Sequence, residues 1–147
     1  MHKAVIPHEF RLTDSTLDCL LGLNFVFICI DDGEVKKPLI ETLLKNGISF
    51  IDVGIGINVV DGLLLGSSRI TLGTKDRNKH IEKTISFASG NDGDIYDANI
   101  QIAEINALNA ALAVIKWKKL YNIYIDQQPA SSSVYDIAIN KLLNHED

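Results

Sequence analysis

Apolar residues in this chain fall into short runs and periodic stretches separated by turn-forming residues. Residues 25–30, FVFICI, form a continuous apolar run of β-branched and aromatic residues, the pattern of a strand buried on both faces. The run stops at Asp31-Asp32-Gly33. Over residues 34–46, Val35, Leu39, Ile40, Leu43 and Leu44 recur at helical spacing, with Pro38 tolerable in the first turn and Gly47 suited to the C-cap. Residues 48–53, ISFIDV, read as a second buried strand, so the three elements predict a right-handed βαβ unit. Gly54, Gly56 and Gly62 predict a glycine loop after it, where a ligand or second chain can approach closely.

Before this unit, residues 3–10 lean apolar and read as an edge strand interrupted by Pro7. Thr13-Asp14-Ser15 forms an N-cap cluster for a short helix carrying Leu17, Leu20 and Leu21 and ending at Gly22. After it, residues 66–74 alternate like a half-polar strand suited to antiparallel pairing. Residues 75–93 are polar and read as a crossover, with a short helix over residues 80–87. Residues 99–120 are the strongest helix, apolar nearly all round and rich in alanine, which predicts burial on more than one side. Residues 121–125 read as a short strand and 127–133 as a Pro/Ser linker; residues 134–143 alternate like an edge strand, with an amphipathic helix as the alternative. The predicted organisation is an α/β domain over residues 1–126, then a linker and edge element over 127–147.

Composition narrows the function classes. The chain has 147 residues, 46% apolar and 22% charged, enough for one domain with a core. A net charge of −5 and the lack of a Lys/Arg stripe argue against nucleic acid as a partner, and the patch Lys116, Lys118, Lys119 reads as a solvated helix end. Cys19 and Cys29 form no CxxC pair, and Cys29 sits inside the apolar run and is expected to be buried. The four histidines share no zinc spacing, and His8 reads as structural. No signal segment or apolar run of membrane-spanning length is present, so a cytoplasmic location with no membrane partner is expected.

Candidate chemistry gathers at Asp31 and Asp32. Two carboxylates at the carboxyl end of a buried strand lie where ligands bind in open α/β sheets. Asp52, amid an apolar run, reads as a hydrogen-bonded structural carboxylate, and Arg69 as a surface ion pair or a contact to a phosphate or a partner's carboxylate. Asn58 and Asp61 either make the turn or touch a bound peptide tail. No GxGxxG, P-loop or GxSxG occurs in the sequence.

The segments IDDGEVKK (residues 30–37), IDVGIG (51–56) and NIQIAEINALNAALAVIKWKKL (99–120) together resemble the second half of the ThiF/MoeB/HesA adenylyltransferases, relatives of ubiquitin-activating enzymes. The similarity spans about residues 5–126 and implies a partial Rossmann-like sheet with flanking helices. It further implies ATP-dependent adenylation of the C-terminus of a ubiquitin-like or sulfur-carrier protein, with ATP and magnesium as cofactors. By this resemblance Asp31 would hold the metal, and Asp32 and Lys36 would lie beside the nucleotide. Asp32 stands where the family has Asn, and Lys36 where it has Arg. The family's glycine-rich nucleotide loop belongs to its first half, which has no counterpart in these residues. Residues 63–93, the counterpart of the region that carries the thioester cysteine, contain no cysteine.

Catalysis would then need the first half from a second chain or a longer parent, and a homodimer or partner chain is expected on the open sheet edge. The bland alternative for Asp31 and Asp32 is a solvated strand-to-helix turn with an N-cap. Two other functions compete: a non-catalytic dimerising interaction module whose glycine loop binds a protein tail, and a nicotinamide-dependent Rossmann enzyme, against which the missing fingerprint also counts.

Overall fold

The computed structural model describes residues 5–87 and 102–145. A five-stranded mixed sheet with order β1-β2-β3-β4-β5 carries helices on both faces. The strands are β1 (Phe25–Ile28), β2 (Ser49–Val60), β3 (Leu63–Gly73), β4 (Ser132–Asp136) and β5 (Lys141–His145). β1 and β2 run parallel; every other neighbouring pair is antiparallel. The helices are α1 (Gly33–Lys45), the single turn α2 (Ile81–Thr84) and α3 (Ala103–Leu120). A 3-10 turn, Asp14–Leu20, precedes β1 at the predicted capping cluster.

The βαβ order expected from residues 25–53 is present. α1 starts at Gly33 because the Asp32 carboxylate accepts from the Glu34 and Val35 amides at 3.1 and 3.3 Å. Pro38 therefore falls in the second turn, one turn later than expected. Leu39, Ile40 and Leu43 pack with Ile28 and Phe50 to form the core on one sheet face, joined by Leu20, Ile81 and Ile85. Strand alternation sends Ile51 to the other face, where α3 lays Ala113 against Ile51, Ile70 and Leu72.

The expected glycine loop is not a loop at residues 54–60. β2 runs straight through Gly54 and Gly56 to Val60, and the chain reverses at Asp61-Gly62, both in the left-handed region (φ 52° and 80°). Two such residues form the turn whose twist suits a two-residue hairpin, so Asp61 has the turn-making role. Gly54 is needed for a different reason. It pairs with Arg69 on β3, whose guanidinium lies 2.8 Å from where a Cβ would sit.

Three further expectations are corrected. Residues 5–10 are not a strand, and neither are residues 121–125. There the chain caps α3: Asn122 takes φ 56°, and the Asn122 and Ile123 amides donate to the Lys119 and Lys118 carbonyls at 3.0 and 2.8 Å. These bonds use up carbonyls that a helix end leaves open, and so fix residues 121–125 outside the sheet. α3 is also buried along one stripe only, Ile105, Asn109 and Ala113, leaving Val114 and Ile115 more than 40% exposed. Asn109 is buried within that stripe, and its Nδ2 donates to the Gly54 carbonyl at 3.0 Å. The beginning of the expected late helix, residues 99–101, and residues 88–93 of the crossover lie outside the described residues.

The Pro/Ser segment ends earlier than expected, since Ser132 and Ser133 already belong to β4. The tail is strand, as the first of its two readings had it, but it is a hairpin of β4 and β5 with a turn between them. His80 is buried, and its Nε2–H donates to the Leu72 carbonyl at 2.9 Å. Among the described residues, no helix is long and apolar enough to cross a membrane.

Candidate functional site at the carboxyl end of the first strand

β1 ends at Ile28, and residues 29–32 carry the chain over the sheet edge into α1. Asp31 is exposed there. Asp32 is half-buried, and besides capping α1 it takes a 3.1 Å contact from the Arg11 guanidinium. With Arg11 largely solvated, that ion pair adds little stability; the cap contributes more. Asp32→Ala is expected to cost about 1 kcal/mol by urea denaturation. Arg11→Ala should leave the midpoint nearly unchanged.

Beside this turn opens a cleft of about 290 Å³ lined by Arg11, Leu20, Ile28, Cys29 and Asp32. Cys29 is exposed here, correcting the expectation that it is buried in the strand. Desolvation by its surroundings raises the thiol pKa, Asp52 raises it further, and Lys36 opposes. A thiol held protonated in this way is a poor nucleophile.

Lys36 points into the fold. Its side chain is 7% exposed, and its ammonium lies 3.1 Å from Asp52 Oδ1, an ion contact rather than an aligned hydrogen bond. Arg69 donates to Asp52 Oδ2 at 2.8 Å and to Thr71 Oγ1 at 3.0 Å. Asp52 is thus a structural carboxylate, as read from the sequence, but with two cationic partners. Arg69 is not a surface ion pair: its partner is fully buried. Strand alternation puts Asp52 on the α1 face of β2, and the absent side chain at Gly54 lets the Arg69 guanidinium reach across to it.

The structure therefore separates the three predicted site residues. Asp31 faces solvent, Asp32 is committed to the helix cap, and Lys36 is committed to Asp52, so it reaches a phosphate only if that pair opens. Three contacts went unread in the sequence: Arg11 with Asp32, Lys36 with Asp52, and Arg69 with Asp52. Gly54 opposite an arginine was the available sign of the Asp52–Arg69 contact; nothing local marked Arg11. Among the described residues, no group of three or more His, Cys, Asp or Glu side chains could hold a metal. One exposed carboxylate at Asp31 suits a magnesium ion that arrives with phosphate ligands, because magnesium is commonly held by one or two carboxylates plus substrate phosphates. Asn58 is exposed on β2 toward the hairpin tip, and His8 is exposed with its ring against Phe10.

Lys116 on α3 is the other perturbed group. Burial lowers its pKa to about 8 from 10.5, helped by Lys119 and Arg77 and opposed by Asp126. The expected solvated helix end is thus only partly solvated. The folded-state pKa lies below the unfolded one, so the fold carries a cost while the ammonium stays charged, and that cost lifts as pH rises from about 8 to 10.5. Wild type should therefore gain on Lys116→Met by on the order of 2 kcal/mol across that window, measured as paired urea midpoints.

Fold and site together define a mixed α/β protein with an acidic strand-to-helix turn at the sheet's edge. A scan of protein families finds no match to the chain, and a search of curated proteins finds none either.

Proposed function

We propose that this chain is the second half of a ThiF-like adenylyltransferase domain, with a partial Rossmann-like sheet, acting on the C-terminus of a ubiquitin-like or sulfur-carrier protein. The observation that carries this reading is the Asp31-Asp32 turn at the carboxyl end of β1, feeding directly into the N-terminus of α1. Asp31 is the residue free to hold a metal; Asp32 fixes the turn that presents it. Lys36, through Asp52, anchors the first turns of α1 to β2.

ATP with magnesium would supply an α-phosphate open to attack by the carrier's terminal carboxylate, pyrophosphate leaving. The phosphate-cradling glycine loop comes, in this reading, from a second chain or a longer parent. Support for that comes from β1, which has no described partner on its outer side. Phe27 is 42% exposed beside Phe25, Trp117 and Tyr121, an aromatic ledge along that edge. An open edge with apolar surface beside it is a place where further structure adds.

Calorimetric titration with Mg-ATP is the test. Saturable binding that weakens about tenfold or more in Asp31→Ala is expected, without loss of the unfolding midpoint, because Asp31 is exposed and uncommitted. Absence of saturable heat, or equal binding by the variant, sinks the reading.

A non-catalytic dimerising module is the second reading, favoured by the hairpin tip. Val60, Leu63 and Leu64 there are 52%, 74% and 50% exposed, an apolar projection. Light scattering that shows a dimer dissociated by Leu63→Lys would support it, and a monomer at all concentrations would count against it.

A further inference from the structure

β1 is a sheet edge with a cleft running along it. Residues 26–30 all line the cleft of about 290 Å³ beside the Asp31 turn, so it follows the strand and its exit rather than any one side chain. Val26 and Ile28 reach it from the α1 face, together with Leu20 and Leu39. The Phe27 ring packs with Phe25 and Trp117 toward the opposite face, so Phe27 meets the cleft through its main chain. In a parallel pair, alternate residues turn their N–H and C=O away from the neighbouring strand. Among the described residues, no strand pairs on the outer side of β1, and no turn or cap bond uses the main chain of residues 25–30.

The charges around the cleft are unequal. A second cleft of about 560 Å³ adjoins the first through Arg11, Leu12 and Val35, and Asp14 and Glu34 line it. With Asp32, three carboxylates stand against the single Arg11 guanidinium on the two linings. Outside the linings, the 3-10 turn and the start of α1 add Asp18 and Asp31 on the acidic side and Lys37 on the basic side, while Lys36 is committed to Asp52. Acid is in excess throughout.

We propose that the β1 edge and its cleft take an extended segment of a partner chain, added to the sheet as a further strand, with apolar side chains at alternate positions and basic residues flanking them. The added strand lies about 4.8 Å from β1, bonded through the outward main-chain groups. Its alternate side chains fall on the α1 face and fill the cleft, where burying apolar area supplies the affinity. The intervening ones lie beside the half-exposed Phe27. A basic flank that passes the carboxyl end of β1 meets the acidic rim. The inference needs the open edge and not the adenylation chemistry, and it holds whether or not the partner also brings a nucleotide loop.

The test is a titration of the full chain, without nucleotide, with a capped synthetic peptide in which valine and threonine alternate between terminal lysines, followed by backbone amide NMR. Saturable shifts are expected at residues 26–30, with Arg11 and Leu12 moving as well. Two N-methylated forms of the peptide separate strand pairing from simple apolar capture. Methylating one alternate set of peptide nitrogens removes the donors that face β1 and should weaken binding about tenfold or more; methylating the other set, which faces solvent, should leave it unchanged. A form with terminal glutamates in place of the lysines should bind about threefold or more weakly at low salt. Every arm uses the unaltered chain, so no variant's folding enters. Binding that never saturates, shifts centred away from residues 26–30, equal effects of the two methylated sets, or equal binding of the glutamate form would each overturn the proposal. Because nucleotide is absent throughout, such a failure is distinct from a failure of Mg-ATP to bind.

Discussion

Asp52→Ala is expected to be the most damaging single substitution, costing about 3–5 kcal/mol of folding free energy. Asp52 is fully buried, and among the described residues it is the only partner of the Lys36 ammonium, whose side chain is 7% exposed. Removing the carboxylate leaves Lys36 buried without a counter-charge and takes from Arg69 its 2.8 Å acceptor. The penalty comes from the charges left behind rather than from the strength of the pair, because burying any ion is already costly. Asp52→Asn should therefore lose nearly as much, since it keeps the shape but not the charge. Lys36→Met combined with Asp52→Ala should cost less than the two single losses added together. Urea denaturation of the four proteins measures this. A loss below about 1 kcal/mol for Asp52→Ala would show that water reaches the cluster and that it is not the buried pair described.

The second large effect is expected at the contact between Phe50 and Gly73. Phe50 is fully buried on the α1 face, and its register partner across the ladder is Gly73. A Cβ at Gly73 would fall against the Phe50 ring, so the aromatic ring occupies the space that the glycine leaves. Phe50→Ala should cost about 3–5 kcal/mol, through lost burial plus the cavity left behind. Gly73→Ala should cost about 1–3 kcal/mol through overpacking. The informative measurement is the pair: Phe50→Leu in the Gly73→Ala background should recover part of the loss, because the smaller side chain makes room for the methyl group. Strictly additive costs would mean that the two positions do not share the space.

These two contacts also show where the sequence stopped being readable. Phe50 announces itself as core by lying in ISFIDV, and Asp52 stands out as a carboxylate in an apolar run. Neither announces its partner. The partner of Asp52 on β3 is 17 residues away, and the reach of Arg69 depends on Gly54, which by itself suggested a loop. Read locally, glycines at 54, 56 and 62 are turn signals. Only at Gly62 does the backbone take a left-handed φ; at Gly54 the missing side chain serves a neighbour.

Cys29 illustrates the same limit. An apolar run has no internal mark for where pairing ends, so the strand was read to Ile30, whereas β1 pairs with β2 only through Ile28 and the thiol emerges at the cleft. At the candidate site, Asp31 and Asp32 were legible from their place after a buried run, and Asp32 as a cap from the helix that follows. The burial of Lys36 was not, because position 36 is only one of several polar residues in the first turns of α1 until β2 presents Asp52 beneath it.

The sequence by itself determined the elements whose signals are local. These are the apolar run of β1, the cap and apolar stripe of α1, the alternation of β3, and the alanine-rich stretch of α3. Side-chain period and capping chemistry act over a few residues, so they survive in the linear order. Tertiary structure alone decided that β2 and β3 form one long hairpin, and that β4 and β5 extend the sheet beyond it. It also decided that Lys36, Asp52 and Arg69 meet in the interior. Those outcomes depend on which strands pair and in what register. Register is set by the burial of whole faces against α1 and α3, a free energy that no short stretch of the chain contains.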